Sequence, residues 1–248
     1  MLFKQFGDKN LPAVILLHGG GLSWWSYKEI IERLEKNYLV IAPIIDGHGE
    51  DGGETFVSIE NSAEKLVSYI DNNFNGKIYA LCGLSVGAQI AVEVLSLRRD
   101  ISEYAVIESA LVFPIKGISA FTKLLYNLFY GLIKQKWFAK TQSKSLCVPE
   151  SMFDMYYKDS LKISKQSLIN IAVSNANYAL KNTIADTKAK ALIIAGQKEM
   201  RIIKKSAEKL NGIILESKLF IAPDMKHGEL SLKHTDKYIN LLEKLFSN

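Results

Sequence analysis

The chain has 248 residues, 48% of them hydrophobic, which is ample for one large core or for a core with an inserted subdomain. Its formal net charge is only +5, its two cysteines (Cys82 and Cys147) fit no metal or redox spacing, and no apolar run approaches the roughly 20 residues of a membrane span. The first eight residues carry no long apolar stretch, so the sequence predicts no signal peptide and a cytoplasmic protein with reduced thiols.

In chain order, Leu2 to Phe6 suits an edge strand and Asp8-Lys9-Asn10 a turn. The short apolar run from Pro12 to Leu17 reads as a buried strand. It opens into His18-Gly19-Gly20-Gly21-Leu22-Ser23-Trp24-Trp25. Three glycines in a row let the backbone approach a ligand and point N–H groups at it. Trp25 to Lys36 follows a helical pattern, and Tyr38 to Ala42 is the next strand, ending at Pro43. The Gly-rich acidic loop Asp46-Gly-His48-Gly follows, then a helix from Ser58 to Asn72.

Ile78 to Cys82 is a further buried strand, and it ends in Gly83-Leu84-Ser85-Val86-Gly87. An apolar-periodic run from Ala88 to Leu97 reads as a helix closing on Arg98-Arg99. Strand, sharp turn and helix with a serine at the apex is the setting of a nucleophile elbow. Glycines on both sides let strand and helix pass closely, and the helix N-terminus offers free N–H groups to a developing oxyanion. Tyr104 to Ile107 makes another strand, ending at Glu108-Ser109.

The alternation of strand and helix then stops, and from about Ile115 to Ala185 the pattern is helical: Phe121 to Trp137, Pro149 to Tyr157, and Ser164 to Leu180. Between Ser109 and Pro149 there is no Asp or Glu, and there are six lysines: Lys116, Lys123, Lys134, Lys136, Lys140 and Lys144. Without arginine or a matching motif this reads as a solvated lysine face rather than a nucleic-acid footprint. A lysine-rich amphipathic helix is also a form that touches membrane surfaces, without stable insertion.

Strand, helix and strand resume with Lys190 to Ala195, Ile202 to Leu210 (Gly212 just beyond) and Lys218 to Ala222, followed by a closing helix from Glu229 to Phe246. The whole reads as α/β, with a mostly parallel central sheet flanked by helices. The predicted division is a core of 1–113 and 187–248 with a helical cap inserted at 114–186.

His18-Gly-Gly-Gly, Asp46-Gly-His-Gly, Gly83-Leu-Ser-Val-Gly, Gly196-Gln-Lys-Glu199 and His227-Gly228 each follow a predicted strand. In that order, over nearly the whole chain, they resemble the α/β-hydrolase fold superfamily, and in particular its capped serine hydrolases and esterases. The resemblance implies Ser85 as nucleophile, His227 as general base and then acid, and Glu199 holding the histidine. The family usually has Asp at that last position, so Glu108 and Asp224 remain rivals for the acid. The oxyanion hole falls to the N–H groups of Val86 and Gly20, with Gly21 as the neighbouring alternative. Trp24, Phe121, Leu125 and Phe129 are candidate substrate-binding residues.

The implied reaction is cleavage of a small or medium carboxylic ester through an acyl-enzyme. The resemblance implies a small-molecule substrate and neither metal nor organic cofactor. Carbon–carbon bond hydrolysis, thioester cleavage or lyase chemistry share the scaffold, as does a non-catalytic binding or signalling protein that keeps the pocket. Oligomeric state is left open.

Overall fold

The structure, a computed structural model, describes residues 1–115 and 117–247, with the backbone alone for 118–120. Seven strands form one sheet in the order β1-β3-β2-β4-β5-β6-β7. They are β1 (Leu2–Phe6), β2 (Ala13–Leu17), β3 (Leu39–Ile44), β4 (Ile78–Leu84), β5 (Ser102–Glu108), β6 (Lys190–Gly196) and β7 (Ser217–Ala222). β1 pairs antiparallel with β3, and every other pair is parallel.

Parallel strands joined by crossover helices are covered on both faces, so their side chains are apolar on both sides. β2 follows that rule. Val14 and Leu16 enter one core, and Ala13, Ile15 and Leu17 the other. The first core is closed by α1 (Lys28–Leu34), α9 (Glu229–Lys233) and α10 (Thr235–Phe246). The second is closed by α2 (Ile59–Phe74), α3 (Val86–Leu97) and α8 (Arg201–Ile213). α3 is buried from Val86 to Ser96, and its last residue, Leu97, reaches the surface.

Local chemistry sets the ends of these elements. The Ser58 hydroxyl accepts from the Asn61 N–H at 3.1 Å, and Asn75 turns left-handed (φ 52°) to end α2. Between β5 and β6 stand α4 (Ile118–Ile133), α5 (Lys136–Ser145), α6 (Phe153–Ser160) and α7 (Lys165–Asn177). α4 and α7 pack on each other, and α7 reaches back to α2 and α3. None of the described helices is long and apolar enough to cross a membrane.

Several boundaries differ from the sequence reading, and three bear on the architecture. β3 does not stop at Pro43 but runs through it to Ile44. Its ladder to β2 ends at Ile41, so proline sits where that neighbour has already gone. Gly212 lies inside the last turn of α8. The closing helix is two helices, broken at His234 (φ −125°, ψ 54°).

Candidate active site

Ser85 stands between the last residue of β4 and the first of α3, with φ 54° and ψ −114°. A side chain pays to hold that conformation, because its Cβ crowds the backbone at positive φ. The surroundings enforce it. The Ser85 N–H donates to the Glu108 carbonyl at 2.8 Å, and its own carbonyl accepts from Gln89 N–H at 2.9 Å. A Cβ on Gly83 would run into the Gly87 carbonyl, and one on Gly87 into the Leu17 carbonyl. Only glycine lets β2, β4 and α3 meet this closely.

Ser85, Glu199 and His227 come together. His227 Nδ1 lies 2.8 Å from Glu199 Oε2, and Nε2 lies 2.9 Å from Ser85 Oγ. An ionised carboxylate only accepts, so the imidazole carries its proton on Nδ1 and offers Nε2 to the hydroxyl. The Glu199 side chain is fully buried, whereas the His227 ring is 42% exposed toward the cavity.

The other Glu199 oxygen, Oε1, accepts from Ser109 Oγ at 2.7 Å and from the Gly196 N–H at 2.7 Å. Burial pushes the Glu199 carboxyl up. The hydrogen bond and charge of His227, with the Ser109 and Gly196 donors, outweigh this and hold it below the ordinary glutamate range.

The two rival acids are elsewhere. Asp224 is exposed and paired with Lys198 at 3.2 Å. Glu108 is buried behind the site and accepts weakly from the Ser231 N–H at 3.4 Å. Burial is the main cause that pushes its carboxyl up to about 7, and the nearby charge of Glu199 adds to this.

Ser109 is a participant that sequence reasoning missed. It has φ 59°, donates to Glu199, and its oxygen accepts from the Gly228 N–H at 3.3 Å. The signal in the sequence was its place directly after β5, one strand over from the elbow.

His18 is buried and structural. Its Nδ1 donates to the Gly19 carbonyl at 2.9 Å, and Nε2 accepts from the Ile45 N–H at 3.1 Å. The ring therefore ties the Gly-rich loop to the end of β3. Burial, and then the neighbouring His48, lower its pKa to about 3, so it stays neutral. Asp46 is likewise a loop fastener, paired with Lys65 and the Met1 amine.

Two chambers meet at Ser85 and His227. The larger, about 570 Å³, is lined by Leu111, Ile115, Thr122, Met200 and Ile203, with Lys198 and Lys226 also lining it. The smaller, about 320 Å³, is lined by Gly20, Gly21, Val86, Tyr126, Leu146 and Ile171. Gly20 and Val86 thus share a chamber with Ser85. Val86 is the first residue of α3, a position whose N–H has no acceptor within the helix.

Four proposed substrate-binding residues are not brought here. Trp24 packs on Phe6, at 5.5 Å between rings, under the Lys4 ammonium, and its Nε1 donates to Glu50 at 3.3 Å. It fills the gap between β1 and the loop after β3. Phe121, Leu125 and Phe129 lie on the exposed side of α4, which lines the chambers instead with Thr122, Tyr126 and Ile133. Among the described residues, no cluster of three or more His, Cys, Asp or Glu is placed to hold a metal ion.

A mostly parallel sheet with a serine at the strand–helix elbow, and histidine and acid beyond later strands, is an α/β-hydrolase architecture. Comparison with known proteins agrees: residues 8–230 match the family model described as serine aminopeptidase, S33, and the chain belongs to that family of hydrolases. Among solved structures, the enol-lactonase of Burkholderia xenovorans superposes with a TM-score of 0.81 at 14% identity, over 100% of this chain and 96% of that one. An esterase from Exiguobacterium antarcticum gives 0.80 at 18% identity, over 99% and 95%. At these identities the likeness is one of fold. A curated relative, the magnesium-chelatase 30 kDa subunit of Rhodobacter capsulatus, is 30% identical over 52% of this chain, and the match spans only 50% of that protein.

Proposed function

We propose that the chain is a serine hydrolase that cleaves a small or medium carboxylic ester through an acyl-enzyme. The observation that carries this is the unbroken relay from Ser85 Oγ through His227 to Glu199, at 2.9 and 2.8 Å. His227 Nε2 takes the Ser85 proton as Oγ attacks the acyl carbon, and returns it to the leaving alkoxide. Glu199 keeps Nδ1 protonated and stabilises the imidazolium without taking its proton. The N–H groups of Val86 and Gly20 receive the oxyanion. Water then repeats the sequence on the acyl-enzyme. The inserted helices, 114–186, act as a cap over a core of 1–113 and 187–248.

An ester suits the cavity better than the peptide amine that the family's description suggests. An aminopeptidase needs an anion for the substrate's ammonium group. Among the described residues lining the two chambers, the carboxylate present is Glu199, already committed to His227, and the larger chamber also carries Lys198 and Lys226.

The test is a p-nitrophenyl ester series of increasing acyl length with Ser85→Ala alongside. We expect turnover by the wild type, with a chain-length optimum set by chamber depth. The variant should fall by several orders of magnitude. Equal rates for both proteins would sink the assignment.

A further inference from the structure

We propose that the outer face of α4, with the lysines of α5, docks this protein on an anionic lipid surface. α4 turns Thr122, Tyr126, Tyr130 and Ile133 inward, and the Tyr130 hydroxyl donates to the Ile163 carbonyl at 2.8 Å. The opposite side is apolar as well. Phe121, Leu124, Leu125, Leu128 and Phe129 recur at helical spacing and are exposed, from 38% at Leu125 to 66% at Leu128. Exposed Lys123 and Asn127 separate the two apolar sides of α4, and the apolar side of a helix is ordinarily covered. Here one side is open, and Trp137 at the start of α5 adds a further exposed ring at 64%. Six of the thirteen large apolar side chains exposed among the described residues fall between Phe121 and Trp137. Such clustering marks a contact surface rather than scattered surface hydrophobes.

The charge pattern says what covers it. Lys134 caps α4, with its ammonium 5.2 Å from the Tyr130 ring centroid. Lys136, Lys140 and Lys144 follow at four-residue spacing along α5, all exposed. Lys116 lies outside the described residues. The sequence from Ser109 to Pro149 holds no carboxylate. Among the described residues, Lys140 pairs with Glu150 at 3.8 Å, an exposed pair that holds little. A second copy meeting this face about a two-fold axis would set lysines against lysines. A polynucleotide would satisfy the lysines and leave the leucines in water. A bilayer of anionic lipid takes the apolar side chains into its acyl boundary and the ammonium groups among its headgroups, with tryptophan at the interface.

The experiment is co-sedimentation of the full chain with vesicles of phosphatidylglycerol and phosphatidylcholine in equal parts, and with phosphatidylcholine alone. Leu124→Ser/Leu128→Ser and Lys136→Gln/Lys140→Gln/Lys144→Gln accompany the wild type. We expect the wild type to bind the anionic vesicles, less so as salt rises. The leucine variant should lose about tenfold in partitioning per side chain removed. The lysine variant should lose most of the salt dependence. Absence of wild-type binding, or binding that both variants retain in full, would overturn the proposal. So would a wild-type dimer in ultracentrifugation that the leucine variant dissociates, since the face would then belong to a second copy. Hydrolysis of a water-soluble p-nitrophenyl ester by each variant reads the Ser85 site separately, so failure of docking and failure of the hydrolase reading are told apart.

Discussion

Ser109 Oγ donates to Glu199 Oε1 at 2.7 Å, and Glu199 presents its other oxygen to His227 at 2.8 Å. On the proposed mechanism Ser109 therefore acts through Glu199, as a positioning residue. A hydrogen bond to a buried charge is worth about 1.5–3 kcal/mol. We expect Ser109→Ala to lower kcat by roughly tenfold with KM nearly unchanged. Steady-state kinetics on a p-nitrophenyl ester checks this. A rise in KM at constant kcat would contradict it.

Glu199 itself should matter far more. Glu199→Gln puts an amide beside Nδ1 and leaves the imidazole in the wrong tautomer, for a loss of about four orders of magnitude in kcat. Glu199→Asp restores the charge but withdraws it by one methylene from a carboxylate now fixed by His227, Ser109 and Gly196 together. Its rate should fall between wild type and Glu199→Gln.

The strain at Ser85 gives a stability prediction of opposite sign to its effect on rate. With φ 54° and ψ −114°, a non-glycine residue costs on the order of 1–3 kcal/mol. Ser85→Gly should abolish ester hydrolysis and raise Tm, by roughly 2–4 °C for each kcal/mol relieved. Thermal unfolding followed by circular dichroism measures it, and a lowered Tm would show that the elbow is unstrained.

Glu108 sets a pH dependence. Its folded-state pKa of about 7 lies above the unfolded value near 4.5, so the native state binds the extra proton. Below the unfolded value both states are protonated and nothing is lost. As pH rises through this window, the unfolded chain ionises first and stability falls. The fully developed cost is on the order of 3 kcal/mol. Glu199 works the other way: its depressed pKa contributes stability above the ordinary glutamate value, lost as pH falls through the folded one. Glu108→Gln should flatten the decline in urea-unfolding free energy between about pH 5 and 8. A parallel decline in both proteins would exclude Glu108 as its source.

The strands were legible in the sequence because each is a short apolar run bounded by turn residues, and the mostly parallel order followed from their alternation with helices. Ser109 was not, because its contact with Glu199 needs β5 beside β6 and a left-handed backbone at a serine. The break at His234 was also hidden. The helical pattern continues through it, and the break is favoured by distant partners: the Thr235 hydroxyl donates to Glu29 at 2.9 Å, and Asp236 pairs with Arg33 at 2.5 Å. The side of α4 that lines the cavity could not be read, since a helix apolar on both faces gives periodicity nothing to separate. The candidates Phe121, Leu125 and Phe129 face outward, and Thr122 and Tyr126 line the chambers in their place.

From β4 outward, the half of the sheet that carries Ser85, Ser109, Glu199 and His227 adds its strands in the order of the chain: β4, β5, β6, β7. Each stage of synthesis therefore extends one growing edge, and His227 follows the outermost strand. The relay cannot close until that strand has docked. On the proposed mechanism, ester turnover in a refolding or translating sample is thus a signal that β7 has docked.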